Sequence, residues 1–260
     1  MLQKETENYL IFTDLDGTLL DHKTYSFDDA KEMLSYLKLN SIPLIIVTSK
    51  TKEEILKLRK ELKLSYPFIV ENGAGIFIPK NKSFEQINMG KTYSETLCFL
   101  NQYRETFKIK SFFDMSVDEV SSLTGLDIEN SKLAKERNFC EPFIIEDESN
   151  IEKFRQLCLE EGFDVVKGGR FFHLITKGQD KANALLKLQK IYEEKFNQKY
   201  KTIALGDGAN DKTMLDISDI SVLIKKFDGN FIDYDKKNLI KTKNIGPAGW
   251  NEALKGILCK

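Results

Sequence analysis

Cysteine is scarce in this chain of 260 residues, with four, at Cys98, Cys140, Cys158 and Cys259. They are scattered, without a C-x-x-C pair or a neighbouring histidine pattern, which argues against a zinc site and for the reduced thiols of a cytoplasmic protein. A surplus of charge is also lacking: 39 Lys and Arg stand against 40 Asp and Glu, for a formal net charge of -1. That balance gives no general reason for nucleic acid or a membrane as partner, although an anionic small molecule would need a local basic pocket. No apolar run approaches the roughly 20 residues of a membrane span. The polar opening stretch, Met1 to Asn8, does not resemble a signal peptide. Internal repeats and low-complexity tracts are absent. The two histidines offer little chemistry: His22 fits a surface loop, and His173, alternating with Phe172 and Leu174, fits a structural place in a strand.

What is present is an α/β rhythm with a hydrophobic content of 41%, enough for a packed core. The length suits one large domain or two small ones. Apolar runs at Tyr9-Leu10-Ile11-Phe12, Pro43 to Val47, Phe68 to Val70 and Ile76 to Ile78 are spaced as strands, the last ended by Pro79. Between them lie helical stripes: Ala30, Met33, Leu34 and Leu37, then Ile55, Leu58 and Leu62 behind a T-x-x-E capping box at Thr51 and Glu54. Such alternation predicts a parallel sheet covered on both faces. From Asn81 to Gly90 the chain turns polar and loop-like. The middle third then offers helices over Thr92–Phe107 and Asn150–Gly162, and strands at Pro142–Ile145 and Phe171–Ile175, an inserted α+β module. The α/β pattern returns with a helix from Asp180, strands at Thr202–Leu205 and Ser221–Ile224, and a closing helix over Gly249–Leu258.

Two acidic clusters follow strands. Asp14-Leu15-Asp16-Gly17-Thr18 comes after the first, and Gly206-Asp207-Gly208-Ala209-Asn210-Asp211 after the strand at Thr202–Leu205. Open α/β sheets place ligands at the carboxyl ends of their strands. Adjacent carboxylates repel and are costly to desolvate, so they call for a cation. Hard oxygen donors suit Mg²⁺. Thr48 and Ser49 follow another strand, where a hydroxyl and free backbone N–H groups suit a phosphate oxygen. A lone lysine at the start of a helix, such as Lys181, usually reads as solvated surface, although a site of carboxylates and phosphate requires a fixed cation.

Taken in order, Asp14-Leu15-Asp16-Gly17-Thr18, Thr48, Lys181 and Gly206-Asp207 to Asp211 resemble the four motifs of the haloacid dehalogenase superfamily. The resemblance implies a Rossmann-like core over residues 1–80 and 178–260, and a substrate-specificity cap of type IIB over residues 81–177. In the middle third, Phe112-Phe113-Asp114-Met115-Ser116, Thr124-Gly125-Leu126, Ala134 to Pro142 and Gly168-Gly169-Arg170-Phe171 are similar to the mannosyl-3-phosphoglycerate phosphatases. So are Ser49-Lys50-Thr51, Glu71-Asn72-Gly73 and Gly246-Pro247-Ala248-Gly249-Trp250-Asn251. Gly208 departs from the pattern, since many relatives carry Ser there.

That resemblance implies a cytoplasmic Mg²⁺-dependent phosphatase of compatible-solute (mannosylglycerate) biosynthesis. Asp14 is then the nucleophile and Asp16 the proton donor and acceptor. The Asp14 carboxylate, the Asp16 carbonyl and Asp207 hold the metal, with Asp211 and Asn210 bordering it. Lys181 and Thr48 bind phosphate. Ser49, Glu71, Asn72, Arg137, Arg170 and Asn210 are candidates for contacts to the rest of an anionic sugar-phosphate substrate, the arginines because their planar fork matches a carboxylate. Phosphatases of glucosyl-3-phosphoglycerate or sucrose 6-phosphate share the core motifs, as does a sugar phosphomutase. A non-catalytic binding protein would have lost Asp14 or Asp16, and both are present.

Overall fold

The computed structural model describes residues 8–168 and 170–259. The opening stretch up to Glu7, and Gly169 of the Gly168-Gly169-Arg170 motif, lie outside them. In chain order the strands are β1 (Tyr9–Thr13), β2 (Leu44–Val47), β3 (Phe68–Val70), β4 (Gly75–Lys80), β5 (Ser83–Asn88), β6 (Ile109–Ser111), β7 (Glu141–Ile145), β8 (Phe163–Lys167), β9 (Phe172–Thr176), β10 (Lys201–Gly206), β11 (Ile220–Lys225) and β12 (Ile240–Ile245). The helices are α1 (Lys31–Leu39), α2 (Lys52–Leu62), α3 (Tyr93–Phe107), α4 (Val117–Thr124), α5 (Ile128–Lys135), α6 (Ile151–Glu160), α7 (Lys181–Phe196), α8 (Lys212–Ile217) and α9 (Gly246–Leu258). Backbone packing divides the chain into two units, one of Met1–Thr48, Tyr66–Ile69 and Lys181–Lys260, the other of Ser49–Ser65 and Val70–Asp180. By that measure residues 49–65 and 70–80 cluster with the inserted segment.

In the first unit the strands run β12-β11-β10-β1-β2-β3, each pair parallel. The apolar residues of β1, β2, β10 and β11 are almost fully buried, as strands covered on both faces must be. From β1 the chain steps outward one way to β2 and β3. After the insertion it returns beside β1 as β10 and steps outward the other way. The order therefore reverses between β1 and β10, and a sheet of this kind opens its ligand crevice at the carboxyl ends of such a pair. In α9, Trp250 is fully buried and its indole Nε1 donates to the Thr13 hydroxyl at 3.0 Å. That hydroxyl donates in turn to the Asp14 carbonyl at 2.7 Å. The closing helix thus braces the strand end that carries Asp14.

The second unit holds the β4–β5 hairpin and an antiparallel sheet in the order β6-β7-β9-β8. One face of that sheet meets α3 and α6 through an aromatic core of Phe99, Phe107, Phe143, Phe154, Phe163 and Phe172. The rings of Phe99 and Phe163 stack at 4.5 Å. A smaller cluster of Phe112, Met115, Val120, Ala134 and Phe171 packs α4 and α5. The capping boxes at Thr51 and Thr92 form with Glu54 and Glu95, and a third forms at Ser116 with Glu119.

Four local expectations change. Pro79 does not end its strand, because β4 runs to Lys80. The polar stretch after it is not a loop but β5, an edge strand joined to β4 through Asn81, whose backbone is left-handed (φ 54°). An edge strand needs no apolar alternation, so the polar run hid it. The buried residues of α2 are Ile55 and Arg59, with Leu58 and Leu62 only half-buried. The middle-third strands are not isolated but form one sheet, completed by β6 and β8.

Candidate active site

The site of the first unit is assembled at the β1–β10 reversal. The Asp14 amide donates to the Leu205 carbonyl at 2.9 Å, so Asp14 and the residues after Gly206 leave the sheet side by side. A tight loop follows, with Gly17 N donating to Leu20 O at 2.9 Å and Leu20 N to Leu15 O at 2.8 Å. Gly17 is required twice over. Its φ is +81°, and a Cβ there would lie 2.8 Å from Asp207 Oδ2. Asp16 sits half-buried in this loop, bridged to Leu20. The Thr18 hydroxyl donates to Asp207 Oδ1 at 3.1 Å.

Lys181 opens α7 and is 1% exposed. Its Nζ donates to Asp14 Oδ1 and to Asp211 Oδ1, both at 2.7 Å. The other oxygen of Asp211 accepts the backbone N–H groups of Asp207 (3.0 Å) and Gly208 (2.8 Å). Asp211 is therefore fully engaged: it fixes the lysine on one side and shapes the loop carrying Asp207 on the other. Gly206 permits this, since a Cβ there would fall 2.5 Å from Asp211 Cβ and Cγ.

Asp14, Asp207 and Asp211 each offer an oxygen within 4.8 Å of the others. Burial lifts the Asp14 carboxyl well above its usual range; Lys181 opposes the rise, and Asp211, Asp207 and Asp16 add to it. Asp207 is pushed up to about 7, by burial first and by Asp211 next. Burial disfavours the Lys181 ammonium, but Asp14 and Asp211 more than offset it and hold it protonated. With all three ionised, the carboxylates against one ammonium leave an excess of two negative charges, and the donors are all oxygen. That set fits a hard divalent cation.

The remaining predicted residues divide between the units. Thr48 follows β2 in the first, 1% exposed, its N–H on the Ile69 carbonyl at 3.1 Å. Asn210 is exposed beside Asp211. In the second unit Ser49, Glu71 and Arg137 come together. Arg137 Nη2 donates to the Ser49 carbonyl (3.3 Å) and pairs with Glu71 Oε2 (3.4 Å). Asn72 is buried next to Glu71. Arg170 stands exposed, its guanidinium donating to the Leu123 carbonyl at the end of α4.

His173 is held neutral, its pKa lowered to about 3 by burial and then by Arg137. His22 stacks on Phe227 at 4.1 Å. The four cysteines are free thiols. Among the described residues no helix is long and apolar enough to cross a membrane.

Sequence reasoning gave Thr18 no role, although it lies in the first motif. It also missed that Cys140 is a partner of Arg137, and that Tyr93 donates to the buried Glu141 at 2.8 Å. Neither pair has a spacing signature.

A family model of haloacid dehalogenase-like hydrolases matches residues 11–246. The chain belongs to the haloacid dehalogenase-like hydrolases. Among relatives of this family, one from Persephonella marina is 45% identical over 260 residues, covering 96% of this chain and 97% of that protein. One from Methanococcoides burtonii is 40% identical over 268 residues, covering 97% and 98%. Both are named glucosyl-3-phosphoglycerate/mannosyl-3-phosphoglycerate phosphatase. A solved structure of a sugar phosphatase of haloacid dehalogenase subclass IIB superposes with a TM-score of 0.68 at 18% identity, over 96% of this chain and 99% of that one. It shares the fold, a parallel-sheet core with an inserted α+β segment. With its relatives, this haloacid dehalogenase-like hydrolase is a phosphoric monoester hydrolase.

Proposed function

We propose that the chain is a Mg²⁺-dependent phosphatase that hydrolyses mannosyl-3-phosphoglycerate, and its glucosyl counterpart, to the glycosylglycerate and phosphate. The observation that carries the chemistry is Lys181, buried and donating to both Asp14 and Asp211, with Asp207 alongside. The substrate choice is supported by the relatives' names. In this reading Asp14 attacks phosphorus through a carboxylate oxygen, and the bond to the glycerate oxygen breaks. Asp16 gives its proton to that leaving oxygen. Water then attacks the aspartyl-phosphate, Asp16 takes the water's proton, and phosphate leaves with Asp14 restored. Lys181 and Thr48 bind phosphate oxygens. Asp14, the Asp16 carbonyl and Asp207 hold Mg²⁺, Asp211 supporting them. When bound, the metal neutralises charge so that two anions can approach. Residues 81–177 act as the specificity cap, with Ser49, Asn72, Arg137, Arg170 and Asn210 as candidate substrate contacts.

The test is phosphate release, with Mg²⁺, from mannosyl-3-phosphoglycerate, glucosyl-3-phosphoglycerate, sucrose 6-phosphate and mannose phosphates. The two glycerates are expected to be turned over with the highest kcat/KM. Activity confined to the other sugars would overturn the substrate assignment and leave the phosphatase.

The metal has a separate signature in stability. A carboxyl raised from 3.8 to about 7, as at Asp207, stabilises the metal-free fold fully below the lower value. That contribution is lost as pH rises through the upper value. The metal binds the deprotonated cluster, so its own stabilisation grows across the same window. At 100 times its Kd a ligand adds about 2.7 kcal/mol, roughly 5–10 °C for a chain of this size. Thermal unfolding of chelated protein with and without Mg²⁺ should show a shift of that order at pH 8 and a much smaller one at pH 5. An equal shift at both would contradict the assignment.

A further inference from the structure

We infer that Glu71 is a positioning residue: its carboxylate fixes Arg137 so that one guanidinium nitrogen, Nη1, is presented to a carboxylate of the substrate. Glu71 has no exposed surface, and both its oxygens are occupied. Oε1 accepts the Asn138 N–H at 2.8 Å. Oε2 accepts the N–H groups of Phe139 (3.1 Å) and Cys140 (2.8 Å) and pairs with Arg137 Nη2. A carboxylate with no exposed surface is not accessible to a substrate hydroxyl.

The backbone confirms that this placement is forced. Glu71 and Asn72 are both left-handed, at φ 49° and 58°, ahead of Gly73 at 91°. For a glutamate that conformation costs on the order of 1 kcal/mol and persists only where the surroundings impose it. The surroundings are plain: Gln179 Nε2 donates to the Glu71 carbonyl at 2.7 Å, and the Glu71 N–H reaches the Lys50 carbonyl at 3.1 Å.

Arg137 is the group this frame holds. Its Nε donates to the Cys140 carbonyl at 2.8 Å, and Nη2 reaches Cys140 Sγ at 3.0 Å and the Ser49 carbonyl. Nη1 has no partner among the described residues. An arginine with two nitrogens locked has already lost its rotamer freedom, so binding through the third costs little further ordering. Planar charge-assisted donors of this kind suit a carboxylate. The inference rests on the function proposed above only in taking the carboxylate from a phosphoglycerate group.

The test uses the full-length enzyme with p-nitrophenyl phosphate, which has no carboxylate, and D-3-phosphoglycerate as inhibitor. Glu71→Gln and Arg137→Met should weaken inhibition roughly 10-fold or more, the loss of one charge-assisted contact, and should weaken it by a much larger factor than they change kcat for p-nitrophenyl phosphate. The double variant should be no worse than Arg137→Met alone, because Glu71 acts through Arg137. Glu71→Asp, too short to reach the same amides, should resemble Glu71→Gln.

Unchanged inhibition in the Glu71 variants, or additive losses, would overturn the inference. So would an equal fall in p-nitrophenyl phosphate turnover, or loss of the fold in both Glu71 variants, either of which marks a structural role. Wild-type enzyme that 3-phosphoglycerate fails to inhibit overturns it too. Inhibition dependent on Glu71 and Arg137, in an enzyme inactive on both glycosyl-phosphoglycerates, would uphold the inference and refute the proposed substrate.

Discussion

Asp14→Asn is expected to lower kcat by on the order of 10⁴-fold or more, because an amide oxygen cannot form the covalent phosphoryl intermediate. The fold should survive the change. Asn is isosteric, and its amide oxygen can still accept from Lys181, which now reaches Asp14 Oδ1 at 2.7 Å. The substitution also removes one of three crowded carboxylates. The thermal midpoint without metal should therefore hold or rise, since like charges in one buried cluster oppose each other. Steady-state phosphate release and a melting curve on the same preparation check both halves. A variant that turned over substrate at the wild-type rate would end the nucleophile assignment. One that melted far below wild type would show that Asp14 is structural first.

Lys181→Met separates charge from shape in the opposite direction. Methionine fills most of the lysine's volume but leaves Asp14 and Asp211 without their shared ammonium. Stranding a buried charge by removing its partner costs about 3–5 kcal/mol, which for a protein of this size is roughly 6–20 °C in melting temperature. Activity should fall by about 10²–10³-fold, the usual effect of removing one preorganised electrostatic group from a reacting centre. Part of the lost stability should return on adding Mg²⁺, which supplies positive charge to the same carboxylates, and this rescue should exceed the metal's effect on wild type. A variant as stable as the parent would show that the two 2.7 Å contacts contribute no net stability.

What the sequence made legible follows from burial. β1, β2, β10 and β11 are covered on both faces, so each carries a short unbroken apolar run that stands out. β5 and β12 are edge strands of mixed polarity, Ser83-Phe84-Glu85-Gln86-Ile87-Asn88 and Ile240-Lys241-Thr242-Lys243-Asn244-Ile245, and their residues alone do not mark them. β6 spans only Ile109–Ser111, too short for any period to register.

In the site, each acidic motif follows an apolar strand in sequence, so Asp14, Asp207 and Asp211 could be joined before any coordinates. Lys181 needed the family pattern, because a single lysine at a helix start has no signature of its own. The enclosure of Glu71 was illegible. Its partners lie at residues 137–140, and nothing local in Glu71-Asn72-Gly73 points there. The same triplet reads equally well as a turn or as a ligand, and only the hydrogen-bond count decides what its carboxylate is free to do.

The brace from Trp250 through the Thr13 hydroxyl to the Asp14 carbonyl also bears on how the enzyme comes into being. β1 leaves the ribosome well before β10, one of its two neighbours, with Ile11 beside Ile203, and before α9, the helix that seats it. Pairings so distant in sequence form slowly. The first strand must wait, apolar on both faces, until most of the chain has been made. An apolar strand left unpaired during synthesis is open to misassociation. Truncations that remove α9 should cost soluble yield before they cost any catalytic group.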